Sequence, residues 1–136
     1  MLYMNDSMKI NYSELSKTYD NHRSYEELHI ESLVEFADLK DRMRILDVGC
    51  GTGNLSAQLM ESVNIESVGV DKSLQMLQKA KNKALDLMCA DVDCGLPFNN
   101  RTFDAVIGSY FLHYIRKREF LIADCYRILK DNLTVE

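Results

Sequence analysis

The segment from Arg44 to Gly53 limits the folds open to this chain more than any other stretch. An apolar run, Ile45 to Val48, leads directly into three glycines that alternate with other residues. The run predicts a buried strand, and the glycines predict a loop whose backbone can lie close to a ligand. Asn54 is placed to cap the next helix, whose first N–H groups would face the same ligand. A tight turn with no ligand is the alternative.

The rest of the chain alternates strand patterns with helical patterns. Apolar runs at 67–70, 85–89 and 103–108 predict three more strands, and Ser73 caps a helical pattern between the first two. A closing helix is predicted from Arg116 to Lys130. Strands that alternate with helices at this spacing indicate parallel, right-handed crossovers. We therefore expect an α/β fold, with a Rossmann-like open parallel sheet of about four or five strands and helices on both faces.

Both later helices are predicted to turn an apolar stripe towards this sheet. The stripe residues are Leu74, Leu77 and Ala80 after Ser73, and Phe120, Leu121, Cys125, Ile128 and Leu129 in the closing helix.

The N-terminal part is predicted to contain an arm and two helices. Residues 1–11 hold three methionines and no periodicity, which favours a flexible arm. A short helix is expected over 11–19, and a stronger one, which opens on a Ser-x-x-Glu capping box, over 24–39. The folded domain is expected to span 12–136.

Small or acidic residues stand where each predicted strand ends. Gly49, Asp71, Asp91 and Ser109 follow the four strands in turn. In open parallel sheets the ligand crevice lies beyond the carboxyl ends of the strands, so we expect these four residues at one site. Asp71 is placed to accept both hydroxyls of a ribose, and an N-cap role is its alternative. Asp91 is suited to accept an exocyclic amine while the Val92 N–H donates to a ring nitrogen, although turns also favour aspartate.

Composition excludes several other classes of protein. A chain of 136 residues that is 46% hydrophobic is long enough for one domain. With 21 acidic and 16 basic residues its net charge is −5, which opposes binding to nucleic acid. No run of about 18 apolar residues is present, and the polar N-terminus does not resemble a signal peptide, so we expect a cytoplasmic protein without a membrane partner.

The four cysteines are expected to be reduced thiols. They lack Cys-x-x-Cys spacing, and the chain does not have the composition of a disulfide scaffold. Cys89 and Cys94, with one candidate histidine, fall short of a zinc set. No metal site is predicted.

The spacing of the glycines argues against a nicotinamide loop. Counted from Gly49, the dinucleotide fingerprint would place its third glycine at Asn54. Asp47, inside the buried run, needs a polar partner because an unpaired buried carboxylate is costly, and the N–H groups of the loop are the expected donors.

These residues resemble the class I S-adenosylmethionine-dependent methyltransferases, in their small-molecule branch. The matching segments are 45–53 for the first motif, 68–71 for the second, 89–92 with 96–98 for the third, and 103–106, 111–115 and 126–130 around the fourth strand. The likeness spans about residues 12–130. It implies that the glycine loop and Asp47 hold the methionine moiety, Asp71 the ribose, and Asp91 with Val92 the adenine, with Tyr19 over the cofactor.

The resemblance implies transfer of a methyl group from S-adenosyl-L-methionine to a small or medium acceptor by in-line displacement, with S-adenosyl-L-homocysteine as product. Alignment in a dry pocket supplies much of the acceleration in such a reaction. His113 is the candidate base for an acceptor that must lose a proton, and a packing or capping role is its alternative. The candidate cofactor-binding residues are Tyr19, Asp47, Gly49, Cys50, Gly51, Gly53, Asp71, Lys72, Asp91, Val92 and Ser109.

The chain departs from the family pattern after Lys130. Six residues follow, without the Pro-Gly-Gly turn and the later strands of the family. The edge of the fourth strand is then expected to need a cover, because unpaired N–H and C=O groups invite pairing. A homodimer contact, a partner subunit and the N-terminal arm are the expected covers. A cofactor-binding but catalytically weak subunit therefore stands beside an active methyltransferase, and a nicotinamide oxidoreductase is a third alternative.

Overall fold

A five-stranded sheet forms the centre of the computed structural model, which describes residues 2–5, 25–108 and 115–130. The strands are β1 (Leu2–Asn5), β2 (Arg44–Val48), β3 (Glu66–Asp71), β4 (Asp86–Cys89) and β5 (Ala105–Gly108). Their order across the sheet is β1-β5-β2-β3-β4. The four strands β2 to β5 run parallel, and β1 runs antiparallel to β5. The predicted Rossmann-like α/β sheet is confirmed.

Helices cover both faces of this sheet. The described helices are α1 (Tyr25–Phe36), α2 (Asn54–Ser62), α3 (Leu74–Ala80) and α4 (Arg118–Ile128), with a short 3-10 turn at Val92–Cys94. Successive residues of a strand point to opposite faces. Ile45 accordingly packs with Leu33 and Leu59 of α1 and α2, whereas Leu46 packs with Leu121 of α4. None of the described helices has the length and apolar character that crossing a membrane requires.

Element boundaries agree with the sequence to within a few residues, with two local differences. The fourth parallel strand begins at Ala105, not Phe103, because Phe103 makes only an isolated bridge to Leu129. Asn54 was expected to cap α2, but the N-cap is Gly53, in a left-handed conformation and without a side-chain hydrogen bond. Ser73 does cap α3, as predicted: its side chain accepts a hydrogen bond from the Met76 N–H.

The predicted burial is wrong for two residues of the apolar stripes. Leu74 is 60% exposed, because it is the first residue of α3 and lies just past the carboxyl end of β3. Phe120 is 49% exposed and lies beside Gly95, where an added Cβ would be 3.9 Å from its ring. The other stripe residues, Leu77, Ala80, Leu121, Cys125, Ile128 and Leu129, are buried as predicted.

Strand β1 lies in the segment that was expected to be a loose arm. Its register pairs Leu2 with Gly108 and Asn5 with Ala105. This strand covers the edge of β5, and the N-terminal arm was one of the three covers expected for that edge. Residues 6–24 lie outside the described part of the chain, so the helix over 11–19, the Ser24 capping box and the domain boundary after residue 11 stay predictions.

Candidate functional site

The glycine loop between β2 and α2 folds back over the neighbouring strand β3. Gly49, Gly51 and Gly53 have φ angles of 67°, 55° and 79°, which L side chains rarely adopt. The N–H groups of Gly49 and Cys50 both donate to the carbonyl oxygen of Val70, at 2.8 and 3.1 Å. The loop is therefore held by the end of β3 as well as by its own turn.

Gly69 makes this fold-back possible. A Cβ at this position would lie 2.7 Å from Cys50 Sγ, closer than real contacts allow, and 3.0 Å from Cys50 Cβ, which is tighter than most. The sequence signal was available, since a glycine inside a strand marks a close approach of another part of the backbone. Gly69 also belongs to the second motif, 68–71, and that motif by itself does not reveal which segment approaches it.

Asp71 ties the loop to the end of β3. Its Oδ2 accepts a hydrogen bond from the Gly51 N–H at 2.9 Å, and its Oδ1 accepts one from the Ser73 N–H at 2.8 Å. The N-cap alternative is not what the structure shows, because Ser73 performs that role. A carboxylate oxygen has two lone pairs, so each Asp71 oxygen retains capacity for a further donor.

Asp47 lies beneath the loop in a buried polar cluster. It is 1% exposed, and Ser56 Oγ donates to its Oδ2 at 2.7 Å. The Ser56 hydroxyl also lies 2.7 Å from the hydroxyl of Ser67. Burial raises the pKa of Asp47 to about 7, the Ser56 hydrogen bond opposes this rise, and the charge of Asp71 adds to it.

The expected partner of Asp47 is therefore wrong. The N–H groups of Gly49 and Cys50 donate to Val70 and that of Gly51 donates to Asp71, so a hydroxyl from α2 serves as the donor to Asp47 instead. Ser56 was missed because a serine inside a helix pattern carries little signal until the neighbouring strand is known.

Asp91 and Val92 begin the 3-10 turn after β4. The Asp91 carboxylate accepts the Asp93 N–H at 3.0 Å, which is the local turn role expected as its alternative. The Ala90 N–H donates to the carbonyl of Asp71 at 3.0 Å, so this turn begins beside the end of β3. Asp91 is exposed whereas Val92 is buried. The strand ends thus bring Asp71 and the Asp91 turn together, as predicted from their positions.

The loop after β4 is anchored to α4 by an ion pair that sequence reasoning missed. Arg127 Nε lies 2.6 Å from Asp124 Oδ1, and its other nitrogens donate to the carbonyls of Leu96 and Phe98 at 2.9 and 2.7 Å. The hydrogen bond from Arg127 lowers the pKa of Asp124. Two residues before α4 begins, the Arg116 N–H donates to the Asp93 carboxylate at 3.2 Å.

Several predicted site residues fall elsewhere. Tyr19, Ser109 and His113 lie outside the described residues. Lys72 has an exposed side chain, and its carbonyl accepts a weak hydrogen bond from Cys89 Sγ at 3.7 Å. Cys50 is buried, and burial raises the pKa of its thiol to about 12, so it is suited to packing and not to nucleophilic chemistry.

Open space lies over the centre of the loop. An added Cβ at Gly51 would meet no atom within 4 Å, although the Gly51 N–H is bonded to Asp71. A positive-φ glycine that faces free space beside a carboxylate fits a ligand that presents hydroxyl groups and lies against the main chain.

Comparison with known proteins places the chain in a family. Residues 45–132, more than half of the chain, match the methyltransferase domain family, and the chain belongs to it. The family and the fold imply S-adenosyl-L-methionine as the cofactor.

Relatives and solved structures agree with this assignment. The chain is 29% identical over 125 residues to a malonyl-[acyl-carrier protein] O-methyltransferase of Marinomonas sp., covering 88% of this chain and 46% of that protein. It is 30% identical over 118 residues to 24-methylenesterol C-methyltransferase 2 of Arabidopsis thaliana, covering 81% and 32%. A SAM-dependent methyltransferase structure from Aquifex aeolicus matches with a TM-score of 0.68 at 20% identity, covering 90% of this chain and 69% of that one. The chain thus spans less than half the length of these two relatives, and the solved structure supports the fold alone.

Proposed function

We propose that this chain binds S-adenosyl-L-methionine at the carboxyl ends of β2, β3 and β4 and takes part in methyl transfer to a small or medium acceptor. The observation that carries the proposal is the hydrogen bond from the Gly51 N–H to Asp71, which joins the glycine loop to the strand-end carboxylate under open space. The names of two relatives give acceptors as different as a malonyl-[acyl-carrier protein] and a 24-methylenesterol. We therefore propose only the size of the acceptor, small or medium, and not its chemical class.

The described residues divide the cofactor between them. Asp71 is proposed to accept the ribose hydroxyls, and Asp91 with the Val92 N–H to bind the adenine, with Lys72 at the side of this pocket. The loop of Gly49, Gly51 and Gly53, with Cys50 packed below, is proposed to hold the methionine part. Asp47, at 1% exposure, supports this loop from beneath through Ser56.

Methyl transfer asks the protein for alignment more than for a reactive side chain. When bound, the cofactor supplies a methyl group already activated on a sulfonium. The chain's own contribution is to orient the adenosine with Asp71 and to hold the methionine part against the backbone of the glycine loop. His113, outside the described residues, is proposed as the base for acceptors that must lose a proton, and Tyr19 and Ser109 as further cofactor contacts.

We also propose that the chain works in the cytoplasm, and that a second copy or a partner subunit adds to the cover of the sheet edge at β5. The sheet order supports this: β1 pairs with all four residues of β5 and is the outermost described strand on that side, so the further cover would lie along the outer edge of β1. Sedimentation at micromolar concentration tests the association, and a monomer would contradict it.

Calorimetric titration with S-adenosyl-L-methionine and S-adenosyl-L-homocysteine tests the proposed function. Asp71→Ala is expected to weaken both ligands by roughly 10- to 100-fold, since it removes charge-assisted hydrogen bonds. Asp86→Ala, at the exposed start of β4, is the matched control and is expected to bind as the wild type does.

Failure of the folded wild type to bind either ligand would refute cofactor binding. Binding without release of S-adenosyl-L-homocysteine across a panel of O-, N- and C-acceptors would instead favour the cofactor-binding, catalytically weak alternative. NADH should not bind, and a measurable NADH affinity would reopen the nicotinamide alternative.

A further inference from the structure

Lys83, which lies outside the predicted site, sends its ammonium group to the glycine loop. It stands in the connection between α3 and β4, and its Nζ donates to the carbonyl oxygen of Thr52 at 2.6 Å. The two residues are 31 positions apart in the chain, and the side chain is partly buried. A short hydrogen bond with a charged donor is stronger than a neutral one.

The carbonyl that Lys83 holds belongs to the last peptide of the loop. Thr52 precedes Gly53, the left-handed N-cap of α2. The Gly53 N–H donates back to the Cys50 carbonyl at 2.9 Å, and the Gly53 carbonyl accepts the Ala57 N–H at 3.0 Å. Lys83 therefore fixes the orientation of the peptide at which the loop becomes a helix.

The connection that carries Lys83 is held in place by its own backbone hydrogen bonds. The Lys83 N–H donates to the Ala80 carbonyl at 2.9 Å, and the Leu85 N–H donates to the Lys83 carbonyl at 2.7 Å. Gly53 packs against the two ends of this connection, since a Cβ added at Gly53 would lie 3.3 Å from Ala80 Cβ and 3.3 Å from Leu85 Cδ1. Besides the hydrogen bonds to the Val70 carbonyl, two side chains thus hold the loop: Asp71 accepts from the Gly51 N–H, and Lys83 donates to the Thr52 carbonyl.

We propose that Lys83 is a positioning residue for cofactor binding, which holds the Thr52–Gly53 end of the glycine loop in the conformation that receives the methionine part of the cofactor. The inference rests on the proposed function, because the loop is its proposed methionine site. The nucleoside part is proposed to bind Asp71 and the Asp91 turn, whereas the Lys83 ammonium donates to Thr52, at the other end of the proposed cofactor site.

Three variants separate positioning from a general role in stability. Lys83→Met removes the charge and the donor but keeps an unbranched side chain, and Lys83→Arg restores a cationic donor. Lys81→Met is the matched control, because Lys81 is exposed and lies two residues away in the same connection. The ligands are S-adenosyl-L-homocysteine and methylthioadenosine, which lacks the amino-acid arm.

Lys83→Met is expected to weaken S-adenosyl-L-homocysteine by roughly tenfold, because the loop would spend only about a tenth of the time in the binding conformation, while methylthioadenosine changes less than about twofold. Lys83→Arg should recover most of the affinity, and Lys81→Met should match the wild type. Unchanged affinity in Lys83→Met, equal weakening of both ligands, or an arginine variant as weak as the methionine variant would each overturn the inference. Wild-type binding in the same series shows that the proposed function itself has not failed.

Discussion

Asp47 and Asp71 are two aspartates near the same loop, but the protein surrounds them differently. Asp47 lies in the middle of the sheet, 1% exposed, with the Ser56 hydroxyl as its hydrogen-bond donor. Asp71 lies at the end of the neighbouring strand, partly exposed, and accepts two backbone N–H groups. Burial raises the pKa of Asp47 to about 7. The carboxylate beneath the loop is thus a structural support, and the carboxylate at the strand end remains available to a ligand.

The largest expected effect concerns the pH dependence of stability through Asp47. Its pKa is about 7 in the folded protein and near the ordinary value of 3.8 when unfolded. Between these values the folded state binds the proton and the unfolded state does not, so the free energy of unfolding falls as pH rises through this window. The fall from this group is on the order of 4 kcal/mol, and it ends above the folded pKa.

Chemical denaturation of the wild type and Asp47→Asn, from pH 4.5 to 8, measures this contribution. As pH rises, the unfolding free energy of the wild type should fall relative to that of Asp47→Asn. Asp86→Asn, at an exposed position, serves as the control and should run parallel to the wild type. If the unfolding free energies of the wild type and Asp47→Asn depended on pH in the same way, the pKa of Asp47 would not be raised by burial and would not set it apart from Asp71.

Gly69 should give the next largest effect, because it lets the loop that Asp71 binds fold back over β3. Gly69→Ala places a Cβ against Cys50 Sγ, and we expect about 1–3 kcal/mol of destabilisation together with weaker cofactor binding. Cys50→Ala in the same background removes the nearer of the two contacts and should recover part of the loss. Denaturation of the single and double variants measures the coupling between the two positions. If the loss of unfolding free energy in the double variant equals the sum of the two single losses, Gly69 and Cys50 are not in contact as described.

Ser73→Ala should have the smallest effect and sharpen the assignment of Asp71. It removes the side-chain cap of α3 but keeps the N–H that Asp71 accepts. We expect a loss of about 1 kcal/mol in stability and an unchanged affinity for S-adenosyl-L-homocysteine. A large loss of affinity, measured by calorimetry, would show that the cap and the ligand site cannot be separated.

Much of the fold was predictable because hydrophobic periodicity and strand length are local properties of the sequence. The runs at Ile45 and Val68 gave strands with the expected neighbours, and the Ser73 cap followed from its side chain alone. Leu74 and Phe120 were misplaced because a helical stripe does not reveal where the sheet below it ends. Strand β1 was missed because four residues without alternation carry no signal until β5 offers them an edge.

The glycine loop, the strand-end positions of Asp71 and Asp91, and the family resemblance followed from the sequence by itself, since each depends on residue type at a short spacing. Only the tertiary structure decided which groups meet. It gave Asp47 a hydroxyl from α2 as donor, set Gly69 against Cys50, and brought the Lys83 ammonium to Thr52. The physical reason is that these contacts join segments far apart in the chain, and their distances exist only once the sheet has fixed the relative positions of its strands.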